Sequence, residues 1–219
     1  MTKARAFALA IALSCAACAL LSCERPASPP GSGSAAAAAE VPPAASAVPA
    51  GPHGSGGAGE KALSAEGSTI TTASLRFDLP AAWRREQPSM GMRLAQAVVP
   101  GESGPGELAV FHFGAGQGGG VESNFERWLG QIEQPAGSKP ERGELSAAGF
   151  KVSWIDARGT LLPSGMGSGP ATPQVGYRLL GAVVEGAGGP WFFKVTGPEA
   201  TLESQRQAFL ALLRGVRRP

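Results

Sequence analysis

Cysteine is nearly absent from this chain of 219 residues, and its three copies, Cys15, Cys18 and Cys23, all fall within the first 23 positions. Nothing beyond Cys23 can form a disulfide, a thiolate zinc site or a cysteine nucleophile. Histidine is almost as scarce, with His53 and His112 alone, and the single tyrosine is Tyr177. A zinc site wants several His, Cys or acidic ligands at short spacing, and none occurs. Charge is also sparse, at 16% of residues. From Ser68 onward 15 Lys and Arg face 13 Asp and Glu, and they are scattered apart from Arg214, Arg217 and Arg218. That balance lacks the basic stripe of a nucleic-acid binder. No catalytic residue, metal ligand or cofactor is assigned from the sequence.

What is present divides the chain into three compositional blocks. Lys3 and Arg5 precede an uncharged, largely apolar stretch from Phe7 to Leu21. A basic start followed by such a stretch reads as a secretory signal. It is shorter than the about 20 apolar residues of a spanning helix. It closes on Leu20, Leu21, Ser22 and Cys23, which resembles the lipobox of bacterial lipoproteins. Cys15 and Cys18 have poorer boxes, because Ala12 and Cys15 stand where a bulky aliphatic belongs. The resemblance implies removal of residues 1–22, diacylglycerol on Cys23 and a protein on the extracytoplasmic side of a membrane. Each buried methylene is worth about 0.8 kcal/mol, so two or three chains hold firmly. Glu24 is compatible with either membrane of an envelope. The bland alternative is an ordinary signal peptide that happens to contain cysteine.

The second block, 23–67, is expected to be a disordered tether. Of residues 24–67, 34 are Ala, Gly, Pro or Ser. Such a segment buries too little to offset its ordering entropy. As a flexible coil it reaches on the order of 35–40 Å.

The third block, 68–219, holds all four tryptophans: Trp83, Trp128, Trp154 and Trp191. Its length suits one domain with a sizeable core. Leu75, Phe77 and Leu79 alternate with Arg76 and Asp78, as in a half-buried strand. Further strands are expected at 92–99, 108–113, 143–147 and 150–154, and in a hairpin at 177–184 and 191–196. Val121, Phe125, Trp128, Leu129 and Ile132 share a helical face and predict a helix over 121–134. Its cap is either Gly120 or a box of Ser123 and Glu126. Leu202, Phe209, Leu213 and Val216 mark a second helix, expected over 199–214. The expected class is α+β, an antiparallel sheet packed between helices. The opening Phe77, Leu79, Pro80 and Trp83, and the closing run Trp191–Pro198 before the last helix, are similar to PsbP-like domains. That resemblance implies an α/β/α sandwich with a non-catalytic, assembly or accessory role.

Three features invite chemistry. Gly114–Gly120 contains GxGxxG between a strand and a helix, where backbone N–H groups can hold a phosphate. It lacks the Lys-Ser/Thr of a P-loop and a βαβ setting, so a plain loop is the leading reading and a small-ligand or anion site the alternative. His112 is the domain's one candidate base, and lies in an apolar strand between Phe111 and Phe113. A partly covered strand histidine is the bland reading, and an enzyme with an unrecognised site the alternative. The loop 163–174 carries Gly165, Met166 and Gly167 and is the best interaction candidate by length. The expectation is a lipid-anchored envelope protein whose domain binds a protein partner.

Overall fold

The computed structural model describes residues 59–163 and 170–219. Cys23, and the loop residues Gly165, Met166 and Gly167, lie outside them. Eleven strands and two helices follow in the order β1 (Ser64–Glu66), β2 (Thr69–Thr71), β3 (Arg76–Asp78), β4 (Arg84–Glu86), β5 (Arg93–Val99), β6 (Gly106–His112), α1 (Val121–Leu129), β7 (Ile132–Glu133), β8 (Glu141–Ala147), β9 (Phe150–Leu161), β10 (Gln174–Glu185), β11 (Trp191–Pro198) and α2 (Glu199–Arg214). The first three strands form a small antiparallel sheet. The rest form one large sheet in the order β4-β5-β6-β11-β10-β9-β7, with β8 also paired to β9. Every recorded pairing is antiparallel. The α+β expectation holds in this sheet-rich form.

The two helices contact opposite faces of the large sheet. Successive strand side chains alternate between faces. Along β10, Leu180, Ala182 and Val184 join a cluster with Leu202, Phe209 and Leu213 of α2 and with Ile70, Phe77 and Trp83. Leu179 and Val183 point the other way, into a cluster with Phe125 and Trp128 of α1 and with Phe192. β10 thus reads as a nearly continuous apolar run because both faces are covered. At its centre Gly181 admits α1: a Cβ there would stand 2.4 Å from Trp128 Cε3. The α2 side is tied by a buried ion pair. Arg178 Nε and Nη2 donate to the two oxygens of Asp156 at 2.7 Å each, and Arg206 Nε adds a 2.8 Å bond. Trp83 Nε1 donates to Gln205 Oε1 at 2.8 Å.

Two expectations are corrected. The helix expected to run to 134 stops at Leu129, capped by Gly130. Ile132 stays in the same apolar cluster but reaches it from β7, paired with Leu161 of β9. A buried side chain at helical spacing and one on a strand that turns back beneath the helix leave the same mark in sequence. The helix cap is Gly120 without a side-chain bond. Ser123 and Asn124 donate to the Gly120 carbonyl instead. The tether boundary at 67 is also too late. β1 lies within 23–67, and the Glu60 backbone N–H donates to His112 Nδ1 at 2.7 Å. Small residues there pair through backbone, which composition does not reveal.

Candidate functional site

His112 is held on every side. Its Nδ1 accepts from Glu60, its Nε2 lies 3.1 Å from the Gly188 carbonyl, and its ring stacks on Trp191 at 4.6 Å between centroids. The donor at Nδ1 requires the tautomer protonated at Nε2, which then donates to Gly188. Both nitrogens are occupied, which fits the bland reading of this residue. Glu60 is itself fixed by Ser74, through its backbone N–H at 3.2 Å and its hydroxyl. Burial opposes the Glu60 charge, but these bonds and one from Thr72 together hold its carboxyl below the ordinary value.

The glycines of 114–120 have a packing explanation. Gly114, Gly116, Gly118 and Gly119 take positive φ, and a Cβ at Gly118 would stand 2.6 Å from the Phe192 ring and 2.8 Å from that of Phe113. The loop borders a hollow of about 370 Å³ that Glu185 also lines. A carboxylate there disfavours a phosphate. The helix that follows leads into β7, which is separated from β6 by β11, β10 and β9, so the loop does not join neighbouring parallel strands as in a dinucleotide-binding βαβ unit.

A different region gathers charge. α1 covers the part of its sheet face formed by β9 and β10, with Phe192 of β11. The remaining part, over β4, β5, β6 and the far end of β11, is polar. Gln96, Ala109 and Lys194 stand in register across β5, β6 and β11, and Val98, Glu107 and Thr196 form the next row. Arg93 is buried, as is Gln96. Arg93 Nη1 donates to Gln96 Oε1 at 2.7 Å and pairs with Glu107 Oε1 at 2.8 Å. Gln96 Oε1 also accepts from the Ser89 backbone N–H at 2.9 Å and hydroxyl at 3.0 Å. Its Nε2 reaches Glu107 at 3.3 Å. Arg93 Nε is buried and without a partner among the described residues. Lys194 Nζ donates to Gln131 Oε1 at 3.1 Å, just past the end of α1. Burial first, and then the Arg93 charge, hold this ammonium below its ordinary value; Glu107 opposes them and Arg127 adds to them. A cavity of about 430 Å³ opens on this side, lined in part by Arg93, Glu107, Thr196 and Tyr177.

The sequence marks this region faintly. Arg93 and Gln96 interrupt an apolar strand, and Lys194 sits between Phe193 and Val195. Each is a strand position on the same face, but only pairing brings β5 and β11 to either side of β6. Glu122 and Glu133, which share helical spacing with Glu126 in the sequence, separate: Glu122 pairs with Arg142 at 2.8 Å and Glu133 lies on β7.

The described residues thus define a sheet-rich α+β domain with a charged, partly open half-face. No protein-family model matches the chain, and no curated protein does. Among solved structures it is similar to the crystal structure of a protein of unknown function, PA94, from Pseudomonas aeruginosa. The identity is 16%, the match covers 64% of this chain and 88% of that one, and the TM-score is 0.38. At that score it assigns neither a fold nor a role.

Proposed function

We propose that the chain is a bacterial envelope lipoprotein, anchored by lipid on Cys23, whose PsbP-like domain binds another envelope component as an accessory module. The lipobox-like Leu20–Cys23 after a basic and then apolar stretch supports the anchor. The observation that carries the binding role is the polar half-face: the buried Arg93 among Gln96, Glu107 and Lys194 of three neighbouring strands, beside an open cavity. A face with no partner in prospect would be expected to leave such charges solvated, because burying them is costly. His112, the first suspect for catalysis, has both ring nitrogens engaged.

Two measurements test the reading. With a fatty-acid analogue supplied to cells, the chain takes up label, and Cys23→Ser removes both label and membrane association. Unchanged labelling and fractionation of that variant defeat the anchor. For the binding role, a photo-crosslinker at Thr196 in the full-length chain is expected to capture one dominant envelope protein. A crosslinker at Lys151, on β9 two strands beyond β11, is expected to capture none; equal capture at both positions defeats the assignment to this half-face.

A further inference from the structure

The polar half-face holds one cation more than it holds anions. Arg93 has Glu107 at 2.8 Å and exposed Arg84 has Glu86 at 3.0 Å. Lys194 is largely buried and its hydrogen-bond partner is a neutral amide oxygen, Gln131 Oε1. Arg127, also bonded to an amide (Asn124), is exposed, and water screens it. An ammonium desolvated against a neutral acceptor attracts an anion more strongly than one in water.

The second observation is the unused side of a guanidinium. In this same protein Arg178 presents Nε and Nη2 to the two oxygens of Asp156, a planar fork on a planar carboxylate. Arg93 spends Nη1 on Gln96 and Glu107, and its Nε has no partner among the described residues although it is buried. Native proteins leave few buried donors unpaired, so such a donor points to a missing acceptor. Between Arg93 and Lys194 the floor is formed by β6, whose residue in register with Lys194 and Gln96 is buried Ala109, carrying only a methyl group, and whose residue in register with Arg93 is Phe111.

We propose that this floor is a binding site for a carboxylate group, gripped by the free side of the Arg93 guanidinium and by the Lys194 ammonium. The proposal deepens the binding role above and rests on it. Two planar oxygens match the fork, and one negative charge matches the one largely buried cation left without an anion. The carboxylate belongs either to a small ligand or to an acidic side chain of a protein partner, and both present the same chemistry to these residues.

The test uses the full-length chain in detergent, with 13Cε-labelled lysine. The four lysines after Cys23 give four methylene signals, of which Lys61, Lys139 and Lys151 serve as internal controls. Sodium acetate, titrated at constant ionic strength against chloride, is expected to move the Lys194 signal saturably and leave the controls still. Arg93→Gln should weaken that response by tenfold or more. Lys194→Met, followed through the Ala109 backbone amide, should do the same and avoids any folding defect of the arginine variant. An acetyl-Ala-Glu-Ala-amide peptide binding more tightly than acetate, and losing that advantage with Gln in place of Glu, assigns the carboxylate to a protein partner. Equal binding assigns it to a small ligand. A response that never saturates, or that both variants leave unchanged, overturns the site, as does inorganic phosphate binding more tightly than acetate. Such a failure leaves the accessory-binding reading standing, because crosslinking at Thr196 reads that independently.

Discussion

The ion pair beneath α2 offers the sharpest test of how this domain is held together. Asp156 is 6% exposed and Arg178 2% exposed, and they meet through two bonds of 2.7 Å. Asp156 also takes Arg206 Nε, so one carboxylate joins β9, β10 and α2. Burial disfavours the Arg178 charge, but the bonds and charge of Asp156, joined by those of Glu203, outweigh it and hold the guanidinium above its ordinary value. Asp156→Ala strands that charge. Breaking a buried pair on one side costs about 3–5 kcal/mol. Arg178 keeps Glu203, whose side chain is 63% exposed, and Arg206 keeps Glu141, 61% exposed. Such exposed partners are worth little, so we expect a loss near the lower end, about 3 kcal/mol. For a domain of this size that lowers Tm by about 6–12 °C. The assay is urea unfolding of the full-length chain followed by tryptophan fluorescence. The paired change Asp156→Leu with Arg178→Met removes both charges together and should recover most of the loss, because well-packed apolar replacements of buried pairs are often neutral. A single Asp156→Ala within about 1 kcal/mol of the parent would refute the reasoning, for it would mean that Arg178 is not desolvated as its burial implies.

Two other outcomes follow from the same physics. Gly181→Ala places a methyl 2.4 Å from Trp128 Cε3 and 3.2 Å from Ile155 Cγ2. Two rigid neighbours cannot both yield, so a loss of about 1–3 kcal/mol is expected in the same urea assay; an unchanged midpoint would mean that α1 does not pack there. Lys194 gives a pH dependence with a definite sign. Its folded value lies below the ordinary 10.5. Between those two values the unfolded chain binds more protons, so this residue makes stability rise with pH through that interval and level off above it. Lys194→Met removes that rise, read as the difference between the urea midpoints of variant and parent at pH 8 to 11. A parallel pair of curves would show that the ammonium is not desolvated.

Much of this architecture is visible from residues alone, and the reasons are local. Alternation writes the strands around Phe77 and Phe150, and the apolar run at 177–184 marks a strand covered on both faces; the run at 108–113 also marks a strand, but the second face of that strand belongs to the polar half-face. The apolar stripe of Leu202, Phe209 and Leu213 writes α2, whose bounds match the expectation. The three-residue strands β1, β2 and β4, and two-residue β7, carry too few side chains to show a period. β4 and β7 exist because longer neighbours offer them backbone partners, and β1 and β2 because they pair with each other and β2 with β3. The same lack of long-range information stretched α1 past Gly130, since Ile132 is apolar at the right spacing whether it is helix or strand.

By itself, the sequence determined the three compositional blocks, the cysteine-free character of everything after Cys23, the α+β class and most long elements. These depend on composition and on periods of 2 and 3.6 residues, which a chain carries wherever it is. Only the tertiary structure decided what the isolated polar residues do. It gave His112 two partners from segments 52 and 76 residues away. It closed Asp156 onto Arg178, and it set Arg93 and Gln96 of β5 and Lys194 of β11 on one face, either side of β6. In each case the chemistry lies in a distance between segments remote in sequence, and strand order and register set that distance.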